Sequence, residues 1–238
     1  MIFGRSTPVM VTPAEALPGR DTPMGGLAAR HTVLDAPLTG PWTTAGGSPA
    51  EILYVAGGCF WWLERIFWKL PGVVGTAVGY MGGFTPNPTY EETCSGRTGH
   101  TEMVLVAYDP ARTAPELLLK AFWENHDPTT PNRQGNDIGT QYRSAIFWTT
   151  PLQEAQARAA CDAFDGLLTS RGHGHVTTEL RSAEDAGPFY FAEDYHQQYL
   201  HKNPGGYCNH GPNGYTCPVG LVSSDDLPAQ TTVEPPRA

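Results

Sequence analysis

The sequence contains no apolar run long enough to span a bilayer, and its N-terminus lacks the apolar core of a secretory signal. It is poor in basic residues: 15 Lys and Arg stand against 24 Asp and Glu, a formal net charge of −9. That balance argues against nucleic acid or an anionic membrane as the main partner. Cysteine is sparse and odd in number, at five, so a complete structural disulfide framework is not expected. No two cysteines stand in C-x2-C spacing, which counts against a structural zinc site. No internal repeat is visible. The chain reads as cytoplasmic, where a persistent disulfide would be unusual and a transient catalytic one would not.

Glycine (27) and proline (22) are abundant, and six tryptophans supply core material. At 238 residues the chain reads as one sizeable domain with tails. Residues 1–50 form an extended arm rich in Pro, Gly, Thr and Ala, which wraps the domain or is partly mobile. The domain proper spans 51–200. Residues 201–222 form a glycine-rich tail expected to be mobile, and 223–238 read as disordered.

One stretch organises the rest. The strand-like Ile52-Leu53-Tyr54-Val55-Ala56 runs into Gly57-Gly58-Cys59, and an amphipathic helix follows, with Phe60, Leu63, Phe67 and Leu70 at helical spacing. Pro71-Gly72 stops it. Cys59 thus opens a helix, where unpaired N–H groups and the helix dipole favour an anion and lower a thiol pKa. A buried structural cysteine is the alternative. Val73–Met81 and Thr101–Tyr108 read as strands. The second carries five consecutive apolar residues, so both of its faces are expected to be buried. Between them, 84–100 reads as an irregular glycine-rich loop. Glu102 enters the buried run directly; it is either a solvated strand end or a carboxyl whose pKa burial raises. Residues 114–125 read as a helix with Leu117, Leu118, Ala121 and Phe122 inward. Residues 133–144 are polar and aperiodic, Ala145–Trp148 is a strand, and Pro151–Ser170 is a long helix with Cys161 in the core. A strand at 175–180 and a short helix with turns over 189–199 complete the domain.

The tail holds Cys208 and Cys217. A rigid nucleophile served by two mobile thiols suits redox turnover: the first cysteine becomes a sulfenic acid, a tail cysteine condenses with it, and the second takes over the disulfide. Two other readings stay open. Cys208 and Cys217 with His201 or His210 are potential zinc ligands, and Cys59 with His196 or His100 is a potential acyl-transfer pair.

Four motifs in order then carry a resemblance. They are Gly58-Cys59-Phe60-Trp61; Tyr90 and Cys94-Ser95-Gly96 with Thr98-Gly99-His100 and Glu102; Gly135-Asn136-Asp137 with Gly139-Thr140-Gln141-Tyr142-Arg143-Ser144; and His196-Gln197-Gln198-Tyr199-Leu200 with Asn203-Pro204 and Gly206-Tyr207-Cys208. The chain resembles the peptide methionine sulfoxide reductases of the A type over roughly 51–222, and Leu17-Pro18-Gly19-Arg20 resembles the longer bacterial members. The resemblance implies a single compact α+β domain, a mixed sheet flanked by helices with a ferredoxin-like core. It implies reduction of the S epimer of methionine sulfoxide, free or protein-bound, by a monomer without metal or organic cofactor, regenerated by thioredoxin. By resemblance Cys59 is the nucleophile and Glu102 the acid. Tyr90 and Tyr142 bind the sulfoxide oxygen, Phe60 and Trp61 hold the methyl group, and Asp137 is a polar neighbour. Cys208 resolves and Cys217 recycles. Cys94 is expected to be structural packing. The departure is Trp62, where the family often has a small residue; it either covers surface or narrows the mouth.

Overall fold

The computed structural model describes residues 8–206 and 211–226. In chain order the elements are β1 (Glu51–Ala56), α1 (Phe60–Phe67), β2 (Val73–Met81), α2 (Tyr90–Cys94), β3 (Thr101–Tyr108), α3 (Pro115–Glu124), β4 (Arg133–Gln134), β5 (Asp137–Ile138), β6 (Ala145–Trp148), α4 (Pro151–Ser170), β7 (Glu179–Ser182), α5 (Ala183–Ala186), β8 (Tyr190–Phe191) and α6 (Tyr199–Lys202). A six-stranded sheet runs β7-β6-β1-β3-β2-β8, and β4 with β5 makes a separate hairpin. β6 and β7 pair in parallel, whereas β1, β2, β3 and β8 pair antiparallel. The expected α+β domain with a mixed sheet and flanking helices is therefore present. No described helix is long and apolar enough to cross a membrane.

The continuous apolar run of β3 is explained by two different coverings. Val104, Val106 and Tyr108 join Phe60, Leu63 and Phe67 of α1, Leu118, Leu119 and Phe122 of α3 and Phe164 of α4 in the main core. Leu105 and Ala107 pack under Leu38, with Leu27 and Trp42, all from the N-terminal arm. Alternation along a strand sends neighbouring side chains to opposite faces. The arm thus stands where a second helical layer would otherwise be, and the compact body begins well before Glu51. Trp42 lies so close to Gly75 of β2 that a Cβ there would come within 2.3 Å of its ring.

Several local expectations are corrected. The 84–100 loop contains α2, capped by Thr89: its hydroxyl accepts from the Glu92 N–H while the Glu92 carboxylate accepts from the Thr89 N–H. Leu117 is 46% exposed, and the inner face of α3 is Leu118, Leu119, Phe122 and Trp123. The strand expected at 175–180 forms four residues later, where Glu179–Ser182 finds β6 as its partner. In place of a helix over 189–199 there are the two-residue strand β8, turns, and then α6.

Candidate active site

The strand-to-helix turn places Cys59 at the N-cap of α1, with no side-chain hydrogen bond closing the cap. Gly58 before it has φ +89°, in the left-handed region, and a Cβ there would come within 2.5 Å of Gln134. Gln134 is itself fixed, accepting from the Asp127 N–H at 3.1 Å and donating to the Asp127 carbonyl at 3.1 Å. Gly58→Ala should therefore cost about 1–3 kcal/mol of stability, read by urea denaturation, with a parallel fall in activity as Cys59 shifts.

Glu102 lies on the helix-facing side of β3, in line with Val104 and Val106. It is buried, and its Oε2 accepts from the Phe60 N–H at 3.0 Å. The carboxylate thus takes one of the free donors at the start of the Cys59 helix. Burial pushes its pKa up to about 8, against the lowering effect of that hydrogen bond and with help from the charge of Asp137. Of the two sequence-level alternatives for Glu102, the buried carboxyl is the one observed.

Cys59, Phe60, Trp61, Tyr90, Glu102, Asp137 and Tyr142 together line one cavity of about 210 Å³. Burial first, and the nearby Glu102 carboxylate second, push the Tyr90 and Tyr142 phenols above their ordinary range, so both hold their protons and serve as donors. The thiol of Cys59 departs from the expectation for a helix start. Burial and the charge of Glu102 raise its pKa, and the N–H groups of Trp61 and Trp62 lower it only in part. The helix terminus is present, but desolvation outweighs it. The resting thiol is protonated.

The wall is held from outside, partly by motif residues such as His196, Tyr199 and Arg143 and partly by Glu193, Glu64 and His31, which lie outside the motifs. His196 Nδ1 accepts from Trp61 Nε1 at 3.0 Å, and Tyr199 stacks on Trp61 at 3.8 Å. Burial lowers the pKa of His196 to about 4, so the ring is neutral. Glu193 accepts from the Tyr80 hydroxyl at 3.0 Å and from the Tyr90 N–H at 2.9 Å, fixing the start of α2. Arg143 donates to the Thr140 carbonyl and pairs with Glu179 at 3.0 Å, pinning the short 3-10 helix Thr140–Tyr142. Glu64 of α1, fully buried, accepts from the Thr76 hydroxyl and from both the backbone and side chain of Gln198, while His31 of the arm donates to Thr76. His100 bonds within its loop, to the Gly83 N–H and the Thr85 carbonyl. Trp62 does not line the cavity.

The remaining cysteines lie elsewhere. Cys94 is exposed, contrary to the packing role expected of it, and the hydroxyl of Tyr90 bonds to its sulfur. Cys161 is half-buried on α4, packed against the core. Cys217 is 1% exposed; its N–H donates to Glu124 at 3.0 Å and its carbonyl accepts from Lys120 at 3.3 Å. Burial and the charge of Glu124 push its thiol up to about 12. Cys208 lies outside the described residues, as does His210. Among the described residues no group of three or more His, Cys, Asp or Glu is placed to hold a metal ion.

The family model for peptide methionine sulfoxide reductase matches residues 51–216. The chain belongs to that family. The peptide methionine sulfoxide reductase MsrA of Salinispora arenicola is 56% identical over 224 residues, covering 93% of this chain and 98% of that protein. Methionine sulfoxide reductase A of Corynebacterium diphtheriae superposes with a TM-score of 0.76 at 45% identity, covering 91% of this chain and all of that one. Reduced Mxr1 of Saccharomyces cerevisiae aligns with a TM-score of 0.58 at 33% identity, over 66% of this chain and 88% of that one. As a member of the reductase family the chain is an oxidoreductase, and the fold and the cavity agree with that membership.

Proposed function

We propose that this enzyme reduces the S epimer of methionine sulfoxide, protein-bound and free, through Cys59. The observation that carries the reading is the Glu102 carboxyl, buried against the start of the Cys59 helix with a pKa raised to about 8. A sulfoxide oxygen leaves poorly until it is protonated, and an acid that keeps its proton at neutral pH supplies that proton. The hydroxyls of Tyr90 and Tyr142 donate to the same oxygen without bearing charge. Phe60 and Trp61 give the methyl group an apolar wall on the cavity they share with those donors. Sulfoxide sulfur is a stereocentre. Only one hand points oxygen at the donors and methyl at the aromatic rings while the rest of the side chain leaves by the mouth.

The Cys59 thiol loses its proton as its sulfur attacks the sulfoxide sulfur. The oxygen, protonated by Glu102, ends on Cys59 as a sulfenic acid and methionine departs. The Cys208 thiol condenses with the sulfenic acid, releasing water and forming a Cys59–Cys208 disulfide. Exchange with Cys217 frees Cys59, and the thioredoxin dithiol reduces the Cys208–Cys217 bond. These exchanges require the 201–222 tail to move, since Cys217 rests under α3. Free thiols suit a reducing compartment, the cytoplasm.

The test mixes reduced protein, without reductant, with each epimer of a methionine sulfoxide peptide. The expected result is about one methionine per enzyme from the S epimer alone, with two thiols lost. No methionine with all thiols intact overturns the reading.

A further inference from the structure

A second, larger groove of about 780 Å³ runs beside the catalytic cavity. Its lining includes Val9 and Glu15 from the arm, Cys94 at the end of α2, and Ile138, Thr140 and Gln141. It is continuous with the site through the chain itself. Cys94 lies one turn beyond Tyr90, Ile138 follows Asp137, and Gln141 precedes Tyr142.

The arm side is a built feature. The side chain of Asn132 donates to the Pro8 carbonyl at 2.9 Å, and the Leu17 N–H donates to the Arg97 carbonyl at 2.9 Å. Just beyond, Arg20 pairs with Glu92 at 2.6 Å and donates to the Asn87 carbonyl. Residues 8–17 are thereby strung between the β4–β5 hairpin and the end of α2. The Leu17-Pro18-Gly19-Arg20 motif is the clamp at one end.

Two polar groups on the opposite side lack a hydrogen-bond partner among the described residues. Thr140 and Gln141 are 2% and 5% exposed, yet Thr140 Oγ1 and Gln141 Oε1 have no hydrogen-bond partner among the described residues. Buried polar atoms are costly to leave unpaired, and exceptions mark places where something else supplies the partner. A hydroxyl and an amide oxygen on residues of one groove wall suit the alternating C=O and N–H groups of a polypeptide backbone. Val9, 83% exposed, and Ile138 offer apolar contact to its side chains. One carboxylate, Glu15, and one guanidinium, Arg97, leave the groove without a dominant sign of charge, so a polyanion is not the matching occupant.

We propose that this groove seats the polypeptide flanking the methionine sulfoxide, making the arm part of protein-substrate recognition. The proposal rests on the reductase reading above. A small sulfoxide occupies the catalytic cavity alone, whereas a peptide also fills the groove.

The test compares N-acetyl methionine sulfoxide amide with an uncharged peptide carrying the sulfoxide at its centre. Wild type is set against Val9→Asp/Ile138→Asp and, separately, Gln141→Met. The expected result is a fall of about 5- to 20-fold in kcat/KM for the peptide, carried by KM, with the small substrate within about twofold. Equal losses on both substrates, or none on the peptide, overturn the proposal. The same peptide is titrated into Cys59→Ser protein with and without the groove changes. Weaker binding by a similar factor supports the groove, and unchanged binding overturns it. Wild type that turns over neither substrate overturns the reductase reading alone, because the titration still decides the groove. A dimer that Val9→Asp/Ile138→Asp dissociates also overturns it, since a second copy would then be the occupant.

Discussion

Cys59→Ser is expected to abolish methionine formation, in a single turnover as well as in the steady state, by on the order of 10⁴-fold or more. The change replaces one atom in a buried side chain, so the fold should survive with a cost of about 1 kcal/mol. Chemistry is what is lost. An oxygen nucleophile cannot accept the sulfoxide oxygen and later return as a reduced thiol, and none of the other described cysteines lines the cavity. The measurement is methionine released per enzyme after mixing with excess sulfoxide peptide, with circular dichroism as the control for folding. A Cys217→Ser protein gives the contrast: one methionine per enzyme, but impaired cycling with thioredoxin. Methionine formed at a normal rate by Cys59→Ser would remove this residue from the reaction.

Glu102→Gln should lower kcat/KM by about 10²- to 10⁴-fold, the range for loss of a positioned general acid. The amide still accepts the Phe60 N–H and fills the same volume, so the loss isolates the proton. In the wild type the acid form is consumed as pH passes about 8, and activity should fall along that limb. The variant should lack the limb. Stability provides a second check. The folded-state pKa of about 8 lies above the ordinary 4.5, so the folded protein keeps a proton that the unfolded chain releases between those values. The contribution is fully present below pH 4.5 and is lost as pH rises through about 8. Urea titrations should show the stability of wild type relative to Glu102→Gln declining across that window. A flat difference would mean that Glu102 is not protonated in the folded state.

Strong periodicity made much of the fold legible. Val73–Met81, Ala145–Trp148 and Pro151–Ser170 stand where apolar patterning and Thr150-Pro151 set them. The residues that escaped are those whose structure depends on distant partners. α2 has five residues and no amphipathic period; its one local signal was the Thr89–Glu92 capping pair. β7 and β8 are short edge strands placed by their neighbours β6 and β2. At the site, local pattern marks Cys59 at a helix start and Glu102 beside a buried run, Tyr90 and Tyr142 follow only from the family resemblance, and the cavity brings all four together with Phe60, Trp61 and Asp137. Glu193, His31 and Glu64 were invisible because their hydrogen bonds join segments far apart in the chain. The Cys59 thiol departs from its local signal for a related reason. A helix start is readable from local pattern, but the depth of burial that overrides it is a property of the assembled core.

Cys217, sealed beneath α3, has a consequence for survival under oxidative stress. A thiol that meets solvent only when 211–222 lifts away is modified at a rate set by that opening equilibrium, not by its intrinsic reactivity. Peroxide in the surroundings would drive an open thiol up the ladder to sulfinic acid, which ends its use. Stored under the helix, the last member of the proposed relay is insured against that loss during the conditions that create its substrate.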